Sequence, residues 1–157
     1  MIALLLASAA LPHLTPDGWG EVRIGMSQVA VARALGTTLE GEPIEDEDTC
    51  VEKISERHPG MWFMFQEGKL TRISIGENSK VTTPRGLGIG ASADAVRKAY
   101  SKGLKAEPHY YLGLPAEYLT YWIVAKKRGV RFETDARRRI ETIHAGNDSI
   151  ELVEGCA

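Results

Sequence analysis

Five of the chain's eight Tyr and Trp residues fall between His109 and Trp122, in His109-Tyr110-Tyr111 and Tyr118-Leu119-Thr120-Tyr121-Trp122, on either side of Leu112-Gly113-Leu114-Pro115. Such a cluster offers binding chemistry: Tyr and Trp bring large rigid area with a polar handle to protein interfaces, and their rings also stack on sugars. Strand alternation would put Tyr118, Thr120 and Trp122 on one face and Leu119, Tyr121 and Ile123 on the other. One face must be core. Two readings stay open. Either His109, Tyr110, Tyr111, Tyr118, Tyr121 and Trp122 form a partner surface with Glu117 and Arg131 as polar anchors at its rim, or the aromatics sit in or cover the core.

Bond-making chemistry has little to build on. His13, His58, His109 and His144 are scattered, without a His-Glu-x-x-His or a paired metal spacing, and Gly-x-Ser-x-Gly does not occur. No catalytic residue and no metal ligand is therefore assigned. Gly86-Leu87-Gly88-Ile89-Gly90-Ala91 matches Gly-x-Gly-x-x-Ala at a helix start, but dinucleotide binding needs that sequence after a buried strand. Residues 78–85 read as loop, so the glycines make a tight turn and no cofactor is expected. The acids from Glu40 to Asp48 lack the Gly and closing Glu of a calcium loop and read as solvated.

The elements that would position these residues come in two sets. Val22-Arg23-Ile24-Gly25-Met26-Ser27 repeats as Leu87-Gly88-Ile89-Gly90-Ala91-Ser92, an offset of 65 from Gly25 to Gly90. Phe65-Gln66-Glu67-Gly68-Lys69-Leu70-Thr71-Arg72-Ile73 lies over the stretch from Phe132 to Ile140, an offset of 67. Ser27 and Ser92 are placed to cap helices, of which Gly36 closes the first while the second continues to Tyr100 and stops near Gly103. Strand-like runs follow each helix: 49–54, 61–65 and 70–75, then 118–125, 130–134 and 140–145, with Ile150 to Val153 as a last strand. Short turns between consecutive strands make them antiparallel. The fold expected is α+β, two tandem helix-plus-antiparallel-meander repeats forming a sheet with helices on one face.

A Gly-x-Ser helix start followed by a meander containing Phe-x-x-Gly-x-Leu-x-x-Ile, used twice over about residues 20–154, resembles the tandem α/β repeats of β-lactamase-inhibitor proteins and of SmpA/BamE-type outer-membrane-assembly lipoproteins. The chain departs from that pattern in having one clear helix per copy and no lipid-attachment cysteine after its apolar start. The resemblance implies a fold and a binding role, and transfers no binding residue.

Hydrophobic content of 43% and charged content of 25% are those of a globular chain, and 157 residues suffice for one compact unit. A formal net charge of −2 gives no global pull toward nucleic acid. Residues 1–10, apolar and ending in Ala7-Ser8-Ala9, read as a signal peptide too short to span a bilayer; the mature chain would begin near Ala10 or Leu11. A buried N-terminal strand or helix is the alternative. Repeats at 19–78 and 84–154 would follow. Export makes Cys50 and Cys156, the only cysteines, readable as a disulfide closing most of the chain. The expected protein is thus exported to periplasm or medium, not an enzyme, and devoted to binding. Its partner is first of all another protein, as for an inhibitor; an envelope-assembly accessory or a carbohydrate-binding module is the alternative.

Overall fold

Two glycine-led turns set up the architecture. Gly25 N–H donates to Leu70 O at 2.7 Å, and Leu70 N–H donates to Met26 O at 2.8 Å. Gly90 N–H and Ile140 N–H make the same pair of bonds, to Ile140 O and Ala91 O, both at 2.8 Å. Each turn feeds a helix whose serine cap accepts from the third residue on: Ser27 Oγ from Ala30 N–H at 3.2 Å and Ser92 Oγ from Ala95 N–H at 3.1 Å. Gly36, at φ 65°, ends the first helix in the left-handed conformation that glycine adopts without strain.

The computed structural model describes residues 11–41 and 49–156. The proposed signal peptide and most of the acidic stretch from Glu40 to Asp48 lie outside the described residues. A two-stranded ribbon, β1 (Gly18–Trp19) and β2 (Val22–Arg23), precedes α1 (Gln28–Leu35). Then come β3 (Cys50–Ile54), β4 (Met61–Gln66), β5 (Lys69–Ile75), α2 (Ala93–Ala99), β6 (Leu104–Pro108), β7 (Glu117–Val124), β8 (Arg128–Thr134) and β9 (Ile140–Gly146). These seven strands form one antiparallel sheet in the order β3-β4-β5-β9-β8-β7-β6. The protein is therefore α+β, with the two strands that close the two halves, β5 and β9, paired at its centre.

One face of the sheet is core. Phe63, Phe65, Leu70, Ile73 and Ile75 from one half meet Leu119, Phe132, Ile140 and Ile143 from the other, and Val31 of α1 and Val96 of α2 are buried in the same cluster. Helices of eight and seven residues are too short to persist alone; burial of such side chains, worth about 1.5–3 kcal/mol each, holds them on the sheet. Glu117 adds an ionic tie across this face, taking both Nη1 and Nη2 of Arg97 at 2.7 and 2.6 Å.

The ladder corrects two sequence expectations. Phe132 pairs with Ile143 as Phe63 pairs with Ile73, and Ile140 faces Thr134 as Leu70 faces Phe65. The positions matching Phe132 and Ile140 are thus Phe63 and Leu70, not Phe65 and Ile73. The turn between Thr134 and Ile140 is one residue longer than that between Phe65 and Leu70, so aligning by residue type slips the register. Bulges at Met64/Phe65 and at Glu133/Thr134 fall at the positions this ladder pairing aligns. Residues 150–153 also do not form a strand: Asp148–Glu151 is a turn of 3₁₀ helix, η1. Both flanks of β9 are already occupied, by β5 and β8, so the chain leaving β9 cannot add a strand beside it.

Candidate functional site

The face of the sheet opposite the helices is polar, and cross-strand pairing arranges it in rows. Trp62, Ser74, His144, Arg131, Thr120 and Lys105 lie side by side along one of them. Glu133, Tyr118 and Glu107 form a second, and Glu52, Met64, Arg72, Gly146, Gly129 and Trp122 a third. The C-terminal segment crosses this third row. Ile150, fully buried, presses onto Gly129, where a Cβ would come 3.0 Å from Ile150 Cδ1 and 2.5 Å from Trp122 Cε3. Gly146 admits no side chain either, because a Cβ there would meet Thr71 O at 2.1 Å. Arg72, buried, then clamps the strap: its Nη1 donates to Ser149 O at 3.0 Å and Leu152 O at 3.1 Å, and its Nη2 to Glu52 Oε1 at 2.6 Å. The Cys50–Cys156 disulfide fastens the end of the strap to β3.

Beside the strap stands the loop between β6 and β7, and His109 organises it. His109 Nε2 lies 2.7 Å from Glu133 Oε1. Its Nδ1 faces two donors, Tyr111 N–H and Leu112 N–H, both at 3.2 Å. An acceptor at Nδ1 requires the proton on Nε2, so this network assigns the tautomer. The imidazole also stacks on Tyr118, centroids 4.8 Å apart, and the Arg131 guanidinium lies 4.1 Å from the same Tyr118 ring. Gly113 N–H closes the loop onto His109 O at 2.8 Å.

On that base Tyr110, Tyr111, Leu112 and Leu114 stand 74, 60, 56 and 70% exposed. Tyr111 OH donates to Glu154 on the strap, and Tyr110 meets Tyr111 edge-on with centroids 4.9 Å apart. Between these rings and residues 152–155 lies a cleft of about 310 Å³. A second, of about 280 Å³, opens on the other side of the same strap residues, against Glu52, Trp62, Arg72, Glu133 and His144.

The five aromatics and one histidine singled out from sequence therefore divide. Tyr110 and Tyr111 are exposed. His109 and Tyr118 are buried supports beneath them. Tyr121 packs on the helix side against Tyr100, centroids 4.8 Å apart, and Trp122 lies against Gly129 under Lys126. Glu117 and Arg131 are buried ties and not rim anchors. The histidines are less scattered than the sequence suggested, because His109 and His144 share Glu133, whose Oε2 is 3.5 Å from His144 Nε2.

Sequence reading missed Ser74 and Glu133 and set His144 aside as scattered. Their signal was present: polar residues at alternate positions of otherwise apolar strands. Ser74 Oγ is 2.7 Å from His144 Nδ1, which gives the outline of a serine–histidine–carboxylate relay. Ser74 is fully buried, however, so a substrate carbonyl has no approach to its hydroxyl, and the contact serves to orient the imidazole. Burial pushes the His144 pKa down to about 4. Burial alone would raise that of Glu133, but hydrogen bonds from His144 and His109 outweigh it and hold the carboxyl below its ordinary value. At neutral pH the network thus carries a carboxylate and a neutral His144 imidazole. Among the described residues, no group of three His, Cys, Asp or Glu is placed to hold a metal ion, and no helix is long and apolar enough to cross a membrane.

Comparison of the chain with protein-family models, curated proteins and solved structures finds no match.

Proposed function

We propose that this is an exported, non-catalytic binding protein, built from two copies of one helix-and-meander unit, that engages a protein partner through Tyr110, Tyr111, Leu112 and Leu114 together with Leu152 and Val153 of the strap. One observation carries the reading: four large, mostly exposed apolar side chains stand together on a loop whose base is fixed by buried hydrogen bonds. Contiguous exposed apolar surface on a soluble domain marks an interaction site. Rigid tyrosines held by a preformed scaffold give up little conformational entropy when a partner covers them. The disulfide supports export, since such bonds persist in oxidising compartments. The matched turn bonds, serine caps and bulges of the two halves support the duplication.

Affinity capture with the oxidised protein as bait, against extracts and media containing exported proteins, followed by mass spectrometry, tests this. A single partner held by the native protein and lost by Tyr110→Ala/Tyr111→Ala is the expected outcome. Capture that survives the double substitution refutes the site; release of the bound material by free sugar transfers the function to carbohydrate.

A further inference from the structure

A separate cleft of about 500 Å³ opens where the β1–β2 ribbon meets the start of β4 and the loop after β5. Its floor is apolar, made by Pro12, Trp19, Pro59, Met61 and Val81. Trp19 is fixed there: its indole Nε1–H donates to Pro12 O at 2.9 Å, and the His58 ring meets it edge-on at 5.1 Å between centroids. The wall is equally rigid. Gly76 N–H donates to Gly60 O at 2.9 Å, and Gly60, at φ 74°, approaches the following loop so closely that a Cβ would lie 2.4 Å from Glu77 O.

The rim carries one sign of charge. Arg57, His58 and Lys80 line the cleft and, among the described residues, no Asp or Glu does. Arg57 donates to Gly36 O; neither it nor Lys80 has a carboxylate partner among the described residues. His58 engages Ser55 Oγ at 3.0 Å through Nδ1, and burial followed by the Arg57 charge lowers its pKa, so the fixed cations are Arg57 and Lys80. A preformed apolar pocket of this size suits a small ligand, and two cations at its mouth without a carboxylate partner among the described residues select an anionic head.

We infer that this cleft binds a free amphiphilic carboxylate, with its alkyl chain against Trp19, Met61 and Val81 and its carboxylate toward Arg57 and Lys80. The site is independent of the proposed protein-binding loop.

Calorimetric titration of the oxidised full chain with hexanoate, octanoate and decanoate, with Trp emission as a second readout, tests it. Binding should be saturable and stoichiometric, and should tighten about fourfold per buried methylene. Lys80→Glu, a change at an exposed and unpaired residue, should weaken decanoate about tenfold while leaving 1-decanol unchanged, and Arg57→Gln should act in the same direction. Equal affinity for decanoate and decanol, indifference to both substitutions in protein that melts normally, or association only with anionic phospholipid vesicles would each overturn the assignment.

Discussion

Acid should weaken this protein through His144. In the folded state its imidazole gains a proton only near pH 4, because burial disfavours the charged form, whereas in the unfolded chain it does so near its ordinary 6.5. A base with a depressed folded pKa is protonated first in the unfolded state. Its neutral form therefore costs nothing above about pH 6.5, and stability is lost as pH falls from there to about 4. A gap of about 2.5 units at about 1.36 kcal/mol each amounts to about 3 kcal/mol, of which about 2 kcal/mol is lost between pH 7 and pH 5, above the range in which carboxylates titrate. With a urea slope of about 2 kcal/mol per molar, the unfolding midpoint should fall by about 1 M over that interval. His144→Asn, which cannot titrate, supplies the reference: the other titrating groups act in both proteins, and the two curves should converge as pH drops. Curves that stay parallel from pH 7 to pH 5 would refute the idea that this imidazole is held neutral by the fold.

Removing the disulfide by Cys50→Ser/Cys156→Ser should cost up to about 4.7 kcal/mol in the chain-entropy account, and the intact mass of the native protein should rise by two hydrogens on reduction. Tyr110→Ala and Tyr111→Ala should each stay within about 0.5 kcal/mol of the native stability, whereas Tyr118→Ala, which removes the platform under His109, should cost about 3 kcal/mol or more; thermal or urea melts separate them. Gly129→Ala drives a methyl into Trp122 and Ile150 and should cost about 1–3 kcal/mol, with limited proteolysis cutting first in the displaced strap. His109→Phe keeps the stack on Tyr118 but loses the Nδ1 acceptor, so hydrogen exchange at the Tyr111 and Leu112 amides should accelerate.

Local chemistry carried much of the fold. Ser27, Ser92 and Gly36 announce their helix ends because cap bonds are made within a few residues, and alternation in β7 placed Tyr118 and Trp122 opposite Leu119 and Tyr121, as observed. What failed was long-range. Nothing near Leu104 to Pro108 advertises a strand, whose polar, exposed pattern is that of the sheet's edge. The Glu133 site brings together residues from β8, β9 and the loop after β6, so only the sheet order reveals that His109 and His144 share a carboxylate. The fate of Ile150 depended on a glycine in another strand, Gly129, whose missing side chain leaves room for it beside Trp122.

The disulfide also has a mechanical consequence. Joining Cys50 to Cys156 makes β3 to β9, α2 and η1 one covalent ring; of the described elements, only the β1–β2 ribbon and α1 lie outside it. If the protein is tethered at one end and pulled from the other, tension passes across the sulfur–sulfur bond and bypasses the sheet. Of the chain before the ring, only the segment leading to Cys50 can be drawn out, by at most about 3.3–3.6 Å per residue. A break in a surface turn of the ring would likewise leave both pieces attached. The seven-stranded sheet, with the polar face and the aromatic loop it supports, is thereby shielded from stress applied at the termini, and reduction removes the shield.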